Sequence, residues 1–175
     1  MSVSEGESAI RQNFASDSEA GINKVINLLM HGSYTYLSMS YYFERDDVNF
    51  PNIAKWMKCH SQSQYEQATT LMAYQNTRGG RLVFQAIGKP DTDDWGSPLE
   101  AFQRALNIEK TSNKAFIDLH DIATQNKDFQ MQDFLEDKFM NPQVKVLEKI
   151  GKHITNLKQC GKGMGEYMFD KTFDS

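Results

Sequence analysis

The sequence predicts an all-α fold: four long helices in a bundle, one long crossover and a short fifth helix at the C-terminus. Apolar residues recur at alternating steps of three and four over runs more than twice the ordinary helix length of ~11–12 residues. None of the four prolines is read as interrupting such a run. Only one long break, Gly79 to Gly96, divides the chain, and the other connections are short. Short, long, short is the connection order of a bundle with a single crossover.

The first helix is expected to start at Ser16, where Ser16-x-x-Glu19 has the spacing of a capping box. Its seam reads Ile22, Ile26, Leu29, Tyr36 and Phe43, and it ends near Arg45-Asp46-Asp47. The second helix begins at Pro51, a favoured first-turn residue. It runs to about Arg78 and stops at Gly79-Gly80, a glycine C-cap signal. In the crossover, Leu82, Phe84 and Ala86 alternate with other residue types, which predicts a short extended segment. Ser97-Pro98-Leu99-Glu100 announces the third helix with a capping serine, a first-turn proline and a capping-box glutamate. Its seam is Leu99, Phe102, Leu106, Glu109, Asn113, Phe116 and His120. The fourth helix starts near Asp128 and carries Phe139, Gln143, Leu147, Ile150, Ile154 and Leu157 until Gly161-Lys162-Gly163 breaks it. A last helix spans about Met164 to Lys171. The expected organisation is a single domain over 1–175, with 1–15 as an extended arm and 164–171 as the short C-terminal helix.

The 175 residues suffice for one sizeable core. A net charge of −4 gives no basic surface for nucleic acid or an anionic membrane. No apolar run is long enough to span a bilayer. The polar stretch Met1 to Arg11 has neither the apolar core of a signal peptide nor the Arg-rich bias of a transit peptide, so a cytoplasmic location is expected. The spacing of Cys59 and Cys160 fits no metal knuckle or redox motif, and an inert or buried Cys59 is expected.

Gln64, Gln67, Glu109 and Gln143 fall on helix seams near mid-bundle. Buried polar groups must be satisfied internally, since each unpaired one costs ~1–3 kcal/mol. Two arrangements fit: a hydrogen-bonded polar layer in which the amides solvate Glu109, or a single-metal site on Glu109 with Tyr36 or Gln143 nearby.

Three stretches carry a family resemblance: Tyr36-Leu37-Ser38-Met39-Ser40-Tyr41-Tyr42-Phe43-Glu44-Arg45-Asp46-Asp47-Val48, Gln75-Asn76-Thr77-Arg78-Gly79-Gly80-Arg81, and Glu166-Tyr167-Met168-Phe169-Asp170-Lys171. In this order and spacing they resemble the animal ferritins, from about Arg11 to Lys171. The resemblance implies a ferritin-like bundle and a subunit of an octahedral 24-mer cage that takes in ferrous iron and stores it as ferric mineral. It implies self-assembly or co-assembly with other ferritin subunits.

Active ferritin subunits oxidise Fe(II) at a di-iron site inside each bundle, which needs hard, negatively charged oxygen ligands. Carried over, the family's first-helix glutamate falls on Leu29, its second-helix glutamate on Gln64 and its histidine on Gln67. The third-helix glutamate is Glu109, the fourth-helix glutamine is Gln143 and the neighbouring tyrosine is Tyr36. One carboxylate offers too little charge to hold two divalent ions against their repulsion. The expectation is therefore no iron tightly bound at the bundle centre and an impaired or absent ferroxidase. The glutamate cluster with which light-type subunits nucleate mineral is represented by Glu66 alone, beside Ser63, Tyr65 and Thr69.

Asp133 and Glu136 match the carboxylates of the family's threefold channel, and His120 matches a histidine at its mouth. By itself such a pair is a solvated acidic face; in three copies, as the resemblance implies, it would ring an axis and draw cations inward. Gln132 stands where the family has a cysteine. The last helix would line the fourfold axis with Met164, Met168 and Thr172, most simply as an apolar plug. His31, His60 and His153 are read as surface or packing residues, with a weak ligand role open to His60. Trp95 is expected to anchor the crossover. Two alternatives stand beside the storage subunit without ferroxidase: a slow ferroxidase on a rearranged site, and an iron-independent structural or chaperone-like cage.

Overall fold

The computed structural model describes residues 8–173. Helix α1 is Ser16–Glu44, α2 is Pro51–Thr77 and α3 is Pro98–Gln125. The fourth long run is built from α4, Phe129–Leu135, a π-helical turn over Glu136–Met140, and α5, Asn141–Cys160. Helix α6, Met164–Lys171, closes the chain. Among the described residues there is no strand, and the all-α bundle with one crossover is as the seams predicted. Helix α1 packs chiefly on α2 and α3 on α5, and α1 also meets α3. Of the N-terminal arm expected over 1–15, residues 1–7 lie outside the described residues, and 8–15 run without helix to α1.

The helix ends show which local signals act. At α3, Ser97 Oγ accepts from Glu100 N–H at 3.3 Å and Glu100 Oε2 accepts from Ser97 N–H at 2.7 Å, the reciprocal box predicted. At α1 the expected box does not form. Ala15 is the N-cap and makes no side-chain cap. Glu19 is engaged elsewhere, accepting from Arg11 Nη1 at 3.0 Å and from the backbone N–H of Arg81 at 2.7 Å. Its carboxylate holds the start of the crossover instead of its own helix end. Helix α2 starts with Pro51 and has no local side-chain cap. Its free N–H groups at Asn52 and Ile53 donate to Oδ1 of buried Asp170, at 3.0 and 2.9 Å. The short last helix thus caps the second one, a tie across the chain that periodicity does not reveal. Gly79, at φ +80°, ends α2 as a left-handed cap.

One reading of the sequence is refined and another corrected. Pro142 falls inside the fourth long run, which stays helical around it. It lies in the first turn of α5, directly after the π turn. Proline has no N–H and its ring clashes with the carbonyl four residues back, so the extra residue of the π turn lets the helix pass it unbroken. The crossover, moreover, forms no regular extended segment: Phe84 and Val83 are exposed, and Leu82 is half-buried. Side chains one turn apart on α1 hold its backbone in place of a partner strand. Asn23 donates to Arg81 O at 3.0 Å, Asn27 to Gln85 O and Ala86 O, and His31 Nδ1 to Gly88 O at 3.0 Å. Trp95 is buried and donates from Nε1 to Ser38 Oγ at 3.0 Å, the anchor expected of it. Cys59 and Cys160 are both exposed, so of the two alternatives for Cys59 the buried one does not hold.

The apolar core is in two parts. One gathers Ile22, Leu29, Leu71, Phe116, Leu135 and Phe139. The other gathers Tyr36, Phe43, Trp56, Phe102, Ile150 and Leu157. Between them lies a layer of polar side chains.

The cap geometry separates two serines that look alike in sequence. Ser97→Ala should lower the free energy of urea unfolding by about 1 kcal/mol. Ser16→Ala, which removes no cap, should change it by less than about 0.5 kcal/mol.

Candidate functional site

Glu109, on α3, is 3% exposed and is the centre of the polar layer. Each of the other long runs sends it a neutral donor. From α1, Tyr36 O–H donates to Oε1 at 2.9 Å. From α2, Gln64 Nε2 donates to Oε1 and Oε2 at 3.3 and 3.4 Å. From α5, Gln143 Nε2 donates to Oε2 at 2.7 Å and to the Glu109 carbonyl at 3.0 Å. Among the described residues Glu109 forms no ion pair, so hydrogen bonds alone carry the charge, and charge-assisted bonds of this kind are the strong ones. Burial, with the Glu109 charge and the hydrogen bond to it as further causes, pushes the Tyr36 phenol well above its ordinary range. Tyr36 therefore keeps its proton and remains a donor.

Gln64 reaches this position because α1 carries a glycine opposite it. A Cβ on Gly32 would stand 2.6 Å from Gln64 Oε1. Next to it, Ser33 and Ser61 exchange hydrogen bonds with each other's carbonyls at 2.8 and 2.7 Å, locking α1 to α2 at this height. Leu29 is fully buried in the first apolar cluster and presents hydrocarbon where the resemblance places a carboxylate.

Of the mid-bundle amides, Gln64 and Gln143 enter the layer and Gln67 does not. Gln67 is half-buried, and its Oε1 has no partner among the described residues. Two members were not legible from motif spacing: Gly32 and Ser112. Ser112, within 3.5 Å of Gln64 Nε2, fills the seam position assigned to Asn113, which is only half-buried. His60 is a packing residue with an acidic neighbour. Its ring stacks on Trp56 at 3.7 Å and lies 5.5 Å from that of Tyr36. Its Nδ1 lies 3.1 Å from Trp56 O and must be the protonated nitrogen, because a carbonyl only accepts. Burial lowers its pKa, against the pull of Glu109. His153 packs among Trp56, Phe102, Phe169 and Phe173, and burial lowers its pKa too, with Lys149 and His60 adding to the effect.

Chemically, the layer turns the N–H₂ ends of two amides toward its one carboxylate. Those ends cannot ligate a cation. The arrangement stabilises an isolated buried charge and presents no second carboxylate or imidazole to a metal pair. Among the described residues no three His, Cys, Asp or Glu side chains converge.

The surface candidates lie apart from this layer. Asp133, in α4, and Glu136, at the start of the π turn, are exposed, and Glu136 Oε1 pairs with His120 Nε2 at 2.9 Å. Glu66 is exposed and accepts from Gln62 at 3.2 Å. Met164, Met168 and Thr172 are exposed along α6. No described helix is long and apolar enough to cross a membrane.

A family model described as a ferritin-like domain matches residues 19–160. The chain is 52% identical over 171 residues to soma ferritin of Lymnaea stagnalis, covering 98% of this chain and 96% of that protein. It is 51% identical to the ferritin middle subunit of Aquarana catesbeiana, over 94% of this chain and 95% of that one. It is 47% identical to the oocyte isoform of the ferritin light chain of Xenopus laevis, over 94% and 95% respectively.

Two outcomes follow from this geometry. Gln143→Leu removes the shortest bond to a buried carboxylate and should destabilise the protein by about 1–3 kcal/mol in urea unfolding. Burial holds His60 and His153 neutral in the folded state, with pKa values below the ordinary histidine value of about 6.5. The unfolded chain therefore binds more protons below that pH. Stability is full above about pH 6.5 and falls as the pH drops below it. In thermal melts between pH 7 and 5, His153→Phe should show a shallower fall than the unsubstituted protein.

Proposed function

The chain belongs to the ferritin family, and from that premise we propose that it is an iron-storage cage subunit whose own bundle centre does not oxidise iron. The observation that carries this reading is the state of Glu109: one buried carboxylate, saturated by Tyr36, Gln64 and Gln143, with Leu29 as an apolar wall. Iron is the cargo, ferrous in transit and ferric when stored. A di-iron oxidation step needs hard anionic ligands on facing helices, both to hold two divalent ions and to favour the oxidised state. Here two of the three ligand-bearing carboxylate positions are a leucine and an amide, and the imidazole position is a second amide.

Uptake is a separate function on a separate surface. Exposed Asp133 and Glu136, with His120 bonded to Glu136, support the reading of an acidic channel when three copies meet around an axis. The relatives named as ferritin subunits support an oligomeric assembly, and the octahedral 24-mer is the form proposed for it. Within it this chain supplies shell, channel and cavity, and other subunits supply rapid oxidation. Glu66 alone makes a weak nucleation surface. Met164, Met168 and Thr172 form the fourfold lining of this proposal. The proposed location is the cytoplasm, with the whole chain acting as one domain.

Aerobic addition of Fe(II) to the pure protein, followed by ferric absorbance in stopped flow, tests the reading. The expected trace is slow, with no rapid phase that saturates at a fixed iron-to-subunit ratio. A rapid saturating phase would refute it and favour a rearranged site on Glu109. The triple variant Leu29→Glu, Gln64→Glu, Gln67→His should gain a rapid phase of at least ten-fold higher initial rate, about 1.4 kcal/mol in barrier.

A further inference from the structure

The last helix holds to the bundle by two ties. Asp170 is the one buried residue of α6, while Met164, Tyr167 and Met168 are exposed. The first tie is polar. Asp170 Oδ1 accepts from the N–H groups of Asn52 and Ile53, and the Asp170 carbonyl accepts from Asn52 Nδ2 at 2.8 Å. The second is aromatic. Phe169 and, just past the helix, Phe173 close over His153, with ring centroids 5.9 and 4.7 Å away. Trp56 and Phe102 complete the enclosure at 6.1 and 5.5 Å. The corner from α5 to α6 is Gly161-Lys162-Gly163, with φ of +72° and +69° at its two glycines. An element with so little buried apolar contact opens more readily than the fold as a whole.

The aromatic tie has a polar atom inside it. His153 Nε2 is buried and has no hydrogen-bond partner among the described residues. An imidazolium carries a proton on both ring nitrogens, so a charged His153 must leave a buried Nε2–H without an acceptor. The surroundings do not compensate the charge. On α5, Lys149, one turn before, repels it, and on α2 a protonated His60 adds to that repulsion. On α3 the facing side chain is Phe102, and Glu109 is engaged with Tyr36, Gln64 and Gln143 and acts on His60. On α6, Asp170 is engaged with α2, Glu166 accepts from the Gly163 N–H, and Lys171 lies beside Tyr167. Burial, with Lys149 and His60 as further causes, lowers the pKa of the enclosed ring.

We propose that α6 is a latch, hinged at residues 161–163, that lets go of the bundle when His153 takes up a proton. The open form binds the proton more tightly than the closed one, because water then solvates both ring nitrogens. The latch is therefore shut above the ordinary histidine pKa of about 6.5 and loosens as the pH falls below it. Release also uncaps α2, since the Asn52 and Ile53 N–H groups lose Asp170. In a shell whose fourfold axes α6 lines, those axes would open in mild acid. The latch acts in this way whether or not the bundle centre oxidises iron.

Amide hydrogen exchange on the assembled protein tests the latch, with rates corrected for the intrinsic pH dependence of exchange. Between pH 7.5 and 5.5, protection at Asn52, Ile53 and the amides of α6 should fall several-fold, with a ceiling of about ten-fold for one proton taken up one unit below pH 6.5. The mid-helix amides of α1 and α3 should keep their protection, which separates local release from general loosening. His153→Phe should leave α6 as protected at the lower pH as at the higher. His153→Gln, polar but not titrating, should be flat as well, and it decides the matter if the phenylalanine variant fails to assemble. His60→Gln should retain the response, which assigns it to His153. Equal protection at the two pH values, a fall shared with the mid-helix amides of α3, a fall that survives in a His153 variant, or its loss in His60→Gln would overturn the proposal.

Discussion

One buried carboxylate sets the terms for the middle of this bundle. Glu109 lies between two apolar clusters, and a charge there is tolerated only if every approach to it is a donor. Tyr36, Gln64 and Gln143 meet that demand from three different helical runs. The same requirement reaches outward. Gly32 must lack a side chain so that Gln64 can enter, and Tyr36 must stay protonated, which its burial beside Glu109 ensures. The four long runs are thereby fixed in register at one height by hydrogen bonds and elsewhere by close-packed apolar side chains.

That constraint also bears on function. A carboxylate surrounded by neutral donors is stable as it stands and has no spare lone-pair partners converging on a second charge. With two amides and Leu29 at the positions where the resemblance places two glutamates and a histidine, the proposed reading of the layer is a hydrogen-bonded environment for Glu109 in place of a ligand set. The acidic surface around Asp133 and Glu136 is physically independent of it, being exposed and joined to His120. Separate sites of this kind allow a proposed inlet for iron to persist while the proposed means of oxidising it is absent.

Much of the fold was legible because it rests on periodicity and local chemistry. The seams of α1 and α5, the Ser97–Glu100 box, Pro51 at the start of α2 and Gly79 at its end all act within a few residues of one another. What escaped depends on partners distant in sequence. Glu19 has the spacing of a capping residue but is taken by Arg11 and Arg81. Asp170 caps a helix that begins far upstream of it. The crossover reads as a strand because its apolar residues alternate, yet Asn23, Asn27 and His31 of α1 satisfy its carbonyls. Pro142 is absorbed by a π turn that no periodicity rule forecasts. At the site, Gln64, Glu109, Gln143 and Tyr36 were readable from their seam positions and from resemblance. Gly32 was not, since its role is the space it leaves for a side chain on another helix.

The bundle centre is thus proposed to be a hydrogen-bonded layer and not a di-iron centre. Anomalous diffraction at the iron edge, on crystals of the assembled protein soaked with Fe(II) without oxygen, tests it most directly. Iron is expected beside Asp133 and Glu136, with no pair of iron peaks among Glu109, Gln64 and Gln143. A pair of iron peaks bridged by Glu109, with the two amides turned to present their oxygens, would contradict it.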